Sequence, residues 1–102
     1  MELFIDPEAL DDIQKATDWY NEQLPGLGSR FQTQTIKQIS SLKYSYHRYS
    51  IRYKKVRCML IKKFPYLVHF LVDENRGIVE VFALFHTSRN PKIWLKRKKT
   101  KR

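Results

Sequence analysis

The hydrophobic period of this chain changes partway along, and that change limits its fold more than any other feature. Leu10, Ile13, Thr17, Tyr20 and Leu24 stand three or four positions apart, and after Pro25-Gly26-Leu27-Gly28 the spacing returns at Phe31, Thr35, Ile36, Ile39 and Leu42. Such stripes lie on one face of a helix, so the two stretches predict an antiparallel helical hairpin. From Val56 onward β-branched and aromatic residues form three runs, near 56–64, 66–73 and 78–86, separated by Phe64-Pro65 and by Glu74-Asn75-Arg76-Gly77. Connections this short predict a three-stranded antiparallel meander. Leu3-Phe4-Ile5 is long enough only for one strand. Asp6-Pro7 after it reads as a helix cap followed by the first helical residue. Residues 44–53 show no clean period and read as a loop. The expected class is α+β: an N-terminal strand, a helical hairpin, then the meander.

With 102 residues, 42% of them hydrophobic, the chain can bury one core, expected over residues 1–95 as a single domain. Its longest strictly apolar run, residues 81–85, is far short of the roughly 20 residues of a spanning helix. The N-terminus lacks a basic segment followed by an apolar one, so no secretory signal is expected. Cys58 stands alone, and His47 and His69 lack partners at ligand spacing, so neither a disulfide nor a metal site is expected, and no cofactor. The expected location is cytoplasmic.

Charge is divided unevenly. Residues 1–42 hold three basic against seven acidic side chains, a formal −4, whereas residues 43–102 hold 17 against three, a formal +14. A field of that sign draws nucleic acid, a ribosome or an acidic protein. Residues 96–102 carry six basic residues in seven and read as a disordered tail. Strand alternation places Val79, Val81, Ala83 and Phe85, with Val56, Cys58 and Leu60, against the helices. In the middle run Tyr66, Val68, Phe70 and Val72 take that side. The opposite, open face would then gather Arg57, Lys63, His69, Glu80 and His86.

Five segments stand in order along residues 9–94: Ala16-Thr17-Asp18-Trp19-Tyr20; Leu24-Pro25-Gly26-Leu27-Gly28 through Phe31; Val56-Arg57; Lys63-Phe64-Pro65-Tyr66; and Phe85-His86-Thr87-Ser88-Arg89-Asn90-Pro91 through Trp94. Together they resemble the RelE/ParE superfamily of toxins from bacterial type II toxin–antitoxin systems, often called plasmid stabilisation proteins. The resemblance implies a cognate antitoxin as partner and, as target, either the ribosome with its mRNA or DNA gyrase. RelE-like members cut mRNA in the ribosomal A site; ParE-like members poison gyrase without nuclease chemistry.

Metal-independent RNA cleavage needs a base, an acid and cations for the phosphate. His86 is suited to proton transfer, and Arg57, Arg89 and Lys63 to the phosphate. Relatives that use histidine with a carboxylate add Glu80. Lys54, Lys55, Lys63, Lys96 and Arg97 are the expected RNA-binding cations. A C-terminal catalytic tyrosine, frequent in RelE-like nucleases, has no counterpart after Tyr66, and Trp94 has no titratable group to replace it. The leading expectation is ribosome-dependent mRNA cleavage, with gyrase inhibition, or an inactive toxin that only binds antitoxin, as alternatives.

Overall fold

The computed structural model describes residues 1–101, without the side chains of residues 96 and 98–101. Strand β1 (Glu2–Ile5) leads into α1 (Pro7–Gln23), α2 (Leu27–Ser45) and a single 3-10 turn (Tyr46–Arg48). Strands β2 (Ile51–Tyr53), β3 (Val56–Leu60), β4 (Tyr66–Asp73) and β5 (Ile78–His86) follow, and α3 (Pro91–Lys101) closes the chain. The sheet is mixed, in the order β1-β5-β4-β3-β2, with β1 parallel to β5 and the other pairs antiparallel. The expected meander is therefore the middle of a five-stranded sheet. Among the described residues no helix is long and apolar enough to cross a membrane.

Pro7 opens α1, and Asp6 holds the N-cap position without making a side-chain capping bond. Its amide instead donates to Val81 O, fixing the strand-to-helix corner on β5. Gly26 caps α2 with a left-handed φ of 91°, which glycine adopts without steric cost. Gly28 is needed for a different reason. A Cβ there would stand 2.0 Å from Thr17 O and 2.6 Å from the Asn21 side chain, and the Gly28 amide donates to Asn21 Oδ1 at 2.7 Å. The two helices meet backbone to backbone at that point.

The hairpin covers one face of the sheet. Ile13, Phe31, Ile39 and Leu42 meet Met59, Val68, Phe70, Val79 and Leu84 in a core with almost no exposed surface. The other face, expected to be open, carries α3, and a second core forms from Val56, Leu67, Phe82, Ala83, Phe85 and Trp94. The start of α3 was not expected, although it has a local cause: Asn90 Oδ1 accepts the Lys92 amide at 2.9 Å and Pro91 is the first helical residue. Its basic run concealed the rest. The segment expected as a loose tail is helical as far as Lys101, while Arg102 lies outside the described residues.

Three strand assignments differ from expectation. In β3 both alternating sets are apolar, so alternation alone decides nothing; pairing of Met59 with Val68 turns Met59 and Ile61 toward the helices and Val56 and Cys58 toward α3. In β5, His69 lies opposite Ala83 and Phe70 opposite Val81, so Phe82 is an extra residue. This bulge reverses the side-chain parity after Val81. Leu84 then points to the helices, and Ala83 and Phe85 point to α3. Finally, β2 occupies part of the expected loop. It pairs with β3 through a two-residue turn, Lys54-Lys55, whose φ values of 39° and 69° are the left-handed geometry usually signalled by Asn-Gly.

Candidate functional site

The cations and acids expected on one open face are distributed over the whole molecule. Arg57 lies on the helix side. Its Nη1 donates to Tyr49 O at 3.0 Å and, more weakly, to Tyr46 O at 3.4 Å, with the guanidinium 5.8 Å from the Tyr46 ring centre. It braces the turn after α2. Glu80 lies opposite Phe4 and Leu71, in a groove shared with Lys55 and Arg76. Six residue steps along the strand take it to His86, about 20 Å. Lys54 and Lys55 form the β2–β3 turn, whereas Lys63 stands with φ 72° in the turn between β3 and β4, beyond the opposite end of β3.

Arg97 is no tail residue. Its Nη1 donates to Asp12 Oδ2 at 2.9 Å and to Phe82 O at 3.3 Å, its Nη2 reaches Asp12 Oδ1 at 3.2 Å, and Glu8 lies 3.7 Å away. The Asp12 carboxylate also accepts the Leu84 amide at 3.0 Å. Strand β1 pairs with β5 only as far as Val81. Beyond it, Asp12 and Arg97 take up strand groups that a longer β1 would have paired. Burial opposes the Arg97 charge, but the bonds and charge of Asp12 outweigh it and raise its pKa. The Lys96 side chain lies outside the described residues.

Two expected residues do come together, at the end of β5. The Ser88 amide donates to His86 Nδ1 at 3.0 Å and Ser88 Oγ lies 2.8 Å from the same nitrogen, so the neutral ring carries its proton on Nε2. The His86 ring is edge-on to Tyr66 at 5.2 Å, and the Arg89 guanidinium lies over Phe85 at 5.8 Å. Burial raises the Tyr66 hydroxyl pKa, and the Arg89 charge partly opposes it. Tyr66 was not expected in this group. Its pairing with His86 across β4 and β5 is a tertiary fact that the Phe-Pro-Tyr turn did not disclose.

A second cluster lies beneath α3. His69 is 0% exposed, its Nδ1 3.0 Å from the Tyr53 hydroxyl and 3.5 Å from Cys58 Sγ, and its ring edge-on to Trp94 at 4.7 Å and Phe85 at 5.2 Å. Burial pushes its pKa down to about 3, and the charges of Arg52 and Arg97 push the same way. Tyr53 Oη and neutral His69 Nδ1 share a hydrogen bond whose direction depends on the ring tautomer. Burial also pushes the Cys58 thiol up to about 11, against the pull of Arg52. The thiol is therefore protonated and unreactive at neutral pH.

Cations braced on backbone or aromatic faces, acids used as struts and a neutral buried histidine belong to a small basic α+β domain. The model of the ParE toxin family of type II toxin–antitoxin systems, parDE, matches residues 3–91, and the chain belongs to that family. No curated protein matches it. A chain of the chromosomal ParDE TA system from P. aeruginosa superposes with a TM-score of 0.76 at 16% identity, covering 86% of this chain and 97% of that one. The isolated E. coli RelE toxin superposes at 0.63 and 18% identity, covering 97% of each chain. At those identities the likeness is one of fold.

Proposed function

We propose that this protein is the toxin of a type II toxin–antitoxin pair, held by a cognate antitoxin, and that it acts by binding a protein target of the ParE kind, DNA gyrase, and not by cutting mRNA. One observation carries the choice: the set that the sequence offers for cleavage, Arg57, Glu80 and His86, is not assembled. General acid–base chemistry needs base, acid and phosphate-binding cation within hydrogen-bond reach of one scissile bond. Here Arg57 is committed to the carbonyls of Tyr46 and Tyr49, Glu80 lies about 20 Å along the strand from His86, and His86 Nδ1 is held by its own turn. What remains at the His86 end is Arg89, a half-buried tyrosine and the β3–β4 turn that carries Lys63, a set adequate for binding an anionic group.

Purified toxin, added to gyrase with supercoiled plasmid and ATP, is expected to accumulate cleaved DNA trapped by detergent. In a reconstituted translation reaction, primer extension on a defined message is expected to show no new 5′ ends. Replacement of His86 by alanine should leave growth arrest within about threefold of the parent. New ends on ribosome-engaged message, lost in His86→Ala, would reverse the assignment and return Tyr66, His86 and Arg89 to a catalytic role.

A further inference from the structure

The sheet has two terminal strands, β1 and β2, and only one of them is guarded. Strand β2 pairs with β3 in an irregular register, carries Arg52 and runs into the Lys54-Lys55 turn, features that keep a strand edge from joining another chain. Strand β1 keeps an unbroken register with β5 and holds neither proline nor a basic residue. The Glu2 amide donates to Gly77 O at 2.7 Å and the Asp6 amide to Val81 O at 2.9 Å. Because bonding direction alternates along a strand, Leu3 and Ile5 turn their N–H and C=O groups away from β5, toward the open edge. Phe4 stands between them. Leu3 and Ile5 pack on the helix side, so Phe4 points to the other face, in a shallow groove with Glu2, Arg76 and Ile78. It is 52% exposed, the one exposed residue among the six phenylalanines of the chain. Among the described residues neither Glu2 nor Arg76 has an ion-pair partner.

We propose that the β1 edge receives a second copy of this chain, the two β1 strands pairing antiparallel about a two-fold axis at Phe4. Three features select that occupant. Leu3 and Ile5 are placed symmetrically about Phe4, so with Phe4 opposite its own mate each Leu3 exchanges both backbone bonds with the Ile5 of the other copy, and every outward group of the two residues is satisfied. The two Phe4 residues then form a non-hydrogen-bonded pair, the arrangement in which side chains approach most closely, and each ring covers the other. Charge fits the same axis. Antiparallel pairing brings the Glu2–Arg76 end of one copy to the Asp6–Glu8 end of the other, so Arg76 meets carboxylates, and Glu2 comes toward Arg97, which lies 3.7 Å from Glu8. Residues 1–14 carry five carboxylates and no lysine or arginine, which turns nucleic acid and acidic segments away from this edge. The product is one continuous sheet, with both helical hairpins on one face and both α3 helices on the other. It is independent of the target proposed above.

The test follows the full chain by sedimentation velocity between about 1 and 300 μM, where a reversible monomer–dimer equilibrium is expected, half complete at about 10–100 μM for an interface this small. Phe4→Lys should raise that midpoint at least tenfold with an unchanged far-ultraviolet circular dichroism spectrum. Leu60→Lys, on a strand residue exposed to a similar degree but away from β1, should leave it unchanged. Register is read by cysteine linkage in a Cys58→Ser background with oxidised glutathione as the oxidant. Phe4→Cys should link to its mate, because a non-hydrogen-bonded pair holds the two Cα atoms about 4.5 Å apart, within disulfide reach. Glu2→Cys should not, because its mate stands four residues along the paired strand, about 13 Å away. A chain that is monomeric at every concentration, a dimer that Phe4→Lys leaves intact, or linkage of Glu2→Cys as fast as that of Phe4→Cys would overturn the proposal.

Discussion

Gly28 shows how much a single residue decides. Alanine at this position would drive its methyl carbon into Thr17 O and the Asn21 side chain, so the hairpin must splay or the Asn21 bond to the Gly28 amide must break. Overpacking of this kind costs about 1–3 kcal/mol, and Gly28→Ala should lower the urea midpoint with an unchanged slope. Gly26, two residues earlier, has open space around a Cβ and a positive φ, so its replacement should cost only the strain of the left-handed backbone, about 1 kcal/mol. Asp12 carries more. Its carboxylate holds the Leu84 amide and the Arg97 guanidinium, and both side chains of the pair are less than one-fifth exposed. Asp12→Ala leaves the Leu84 amide without its acceptor and the half-desolvated Arg97 with only Phe82 O and Glu8. The expected loss is about 2–4 kcal/mol, measurable by denaturant titration, and Arg97→Met, which leaves the Asp12 carboxylate still bonded to the Leu84 amide, should cost less.

At the scale of the element, α3 depends on a histidine that remains neutral. The groups facing His69 are Tyr53 and Arg52 from β2, Cys58 from β3, Phe82 and Phe85 from β5, and Trp94 and Arg97 from α3. None is a carboxylate that would welcome a second positive charge. An unfolded or undocked histidine titrates near 6.5, whereas here the value falls to about 3. The unfolded state therefore binds the proton first. Stability from this group is complete above about pH 6.5 and is lost as pH falls toward 3, at up to about 1.4 kcal/mol per pH unit. Near-ultraviolet circular dichroism should report loosening around Trp94 in that interval. His69→Phe should flatten the pH dependence, and a profile unchanged by that substitution would show that the buried ring does not govern it.

The molecule as a whole is an electrical dipole between an acidic α1 and a basic second half. Arg97 on Asp12 and Glu8 joins the two. Encounter with an acidic partner should be steered by that field, so the association rate with an antitoxin is expected to fall about tenfold or more between 50 and 500 mM salt, with dissociation much less affected. Stopped-flow mixing at several salt concentrations measures both rates. Much of this scale was legible early: the helical stripes, the limits of β4 and β5, and the five ordered segments from Ala16 to Trp94 are local patterns, and all survive in the structure. The candidate site was less legible. His86 and Arg89 adjoin because they are three residues apart, but Tyr66 joins them only through strand pairing, and Arg57 departs because β3 turns its other face to the helices.

What the sequence determined by itself was therefore whatever depends on neighbours in the chain: where α1 and α2 begin and break, that β1, β3, β4 and β5 are strands, how charge divides, and which family the ordered segments resemble. What only the tertiary structure decided was the orientation of residues that have two acceptable sides. Val56 and Met59 are equally apolar, so pairing with β4 chooses between their faces, and Phe82 as an extra residue reverses those after it. A stretch of lysine and arginine has no apolar stripe to announce a helix, and α3 docks through Trp94 and Arg97 because a sheet face and an acid on α1 were already in place. Alternation and composition are properties of a segment, while burial is a property of two surfaces that meet.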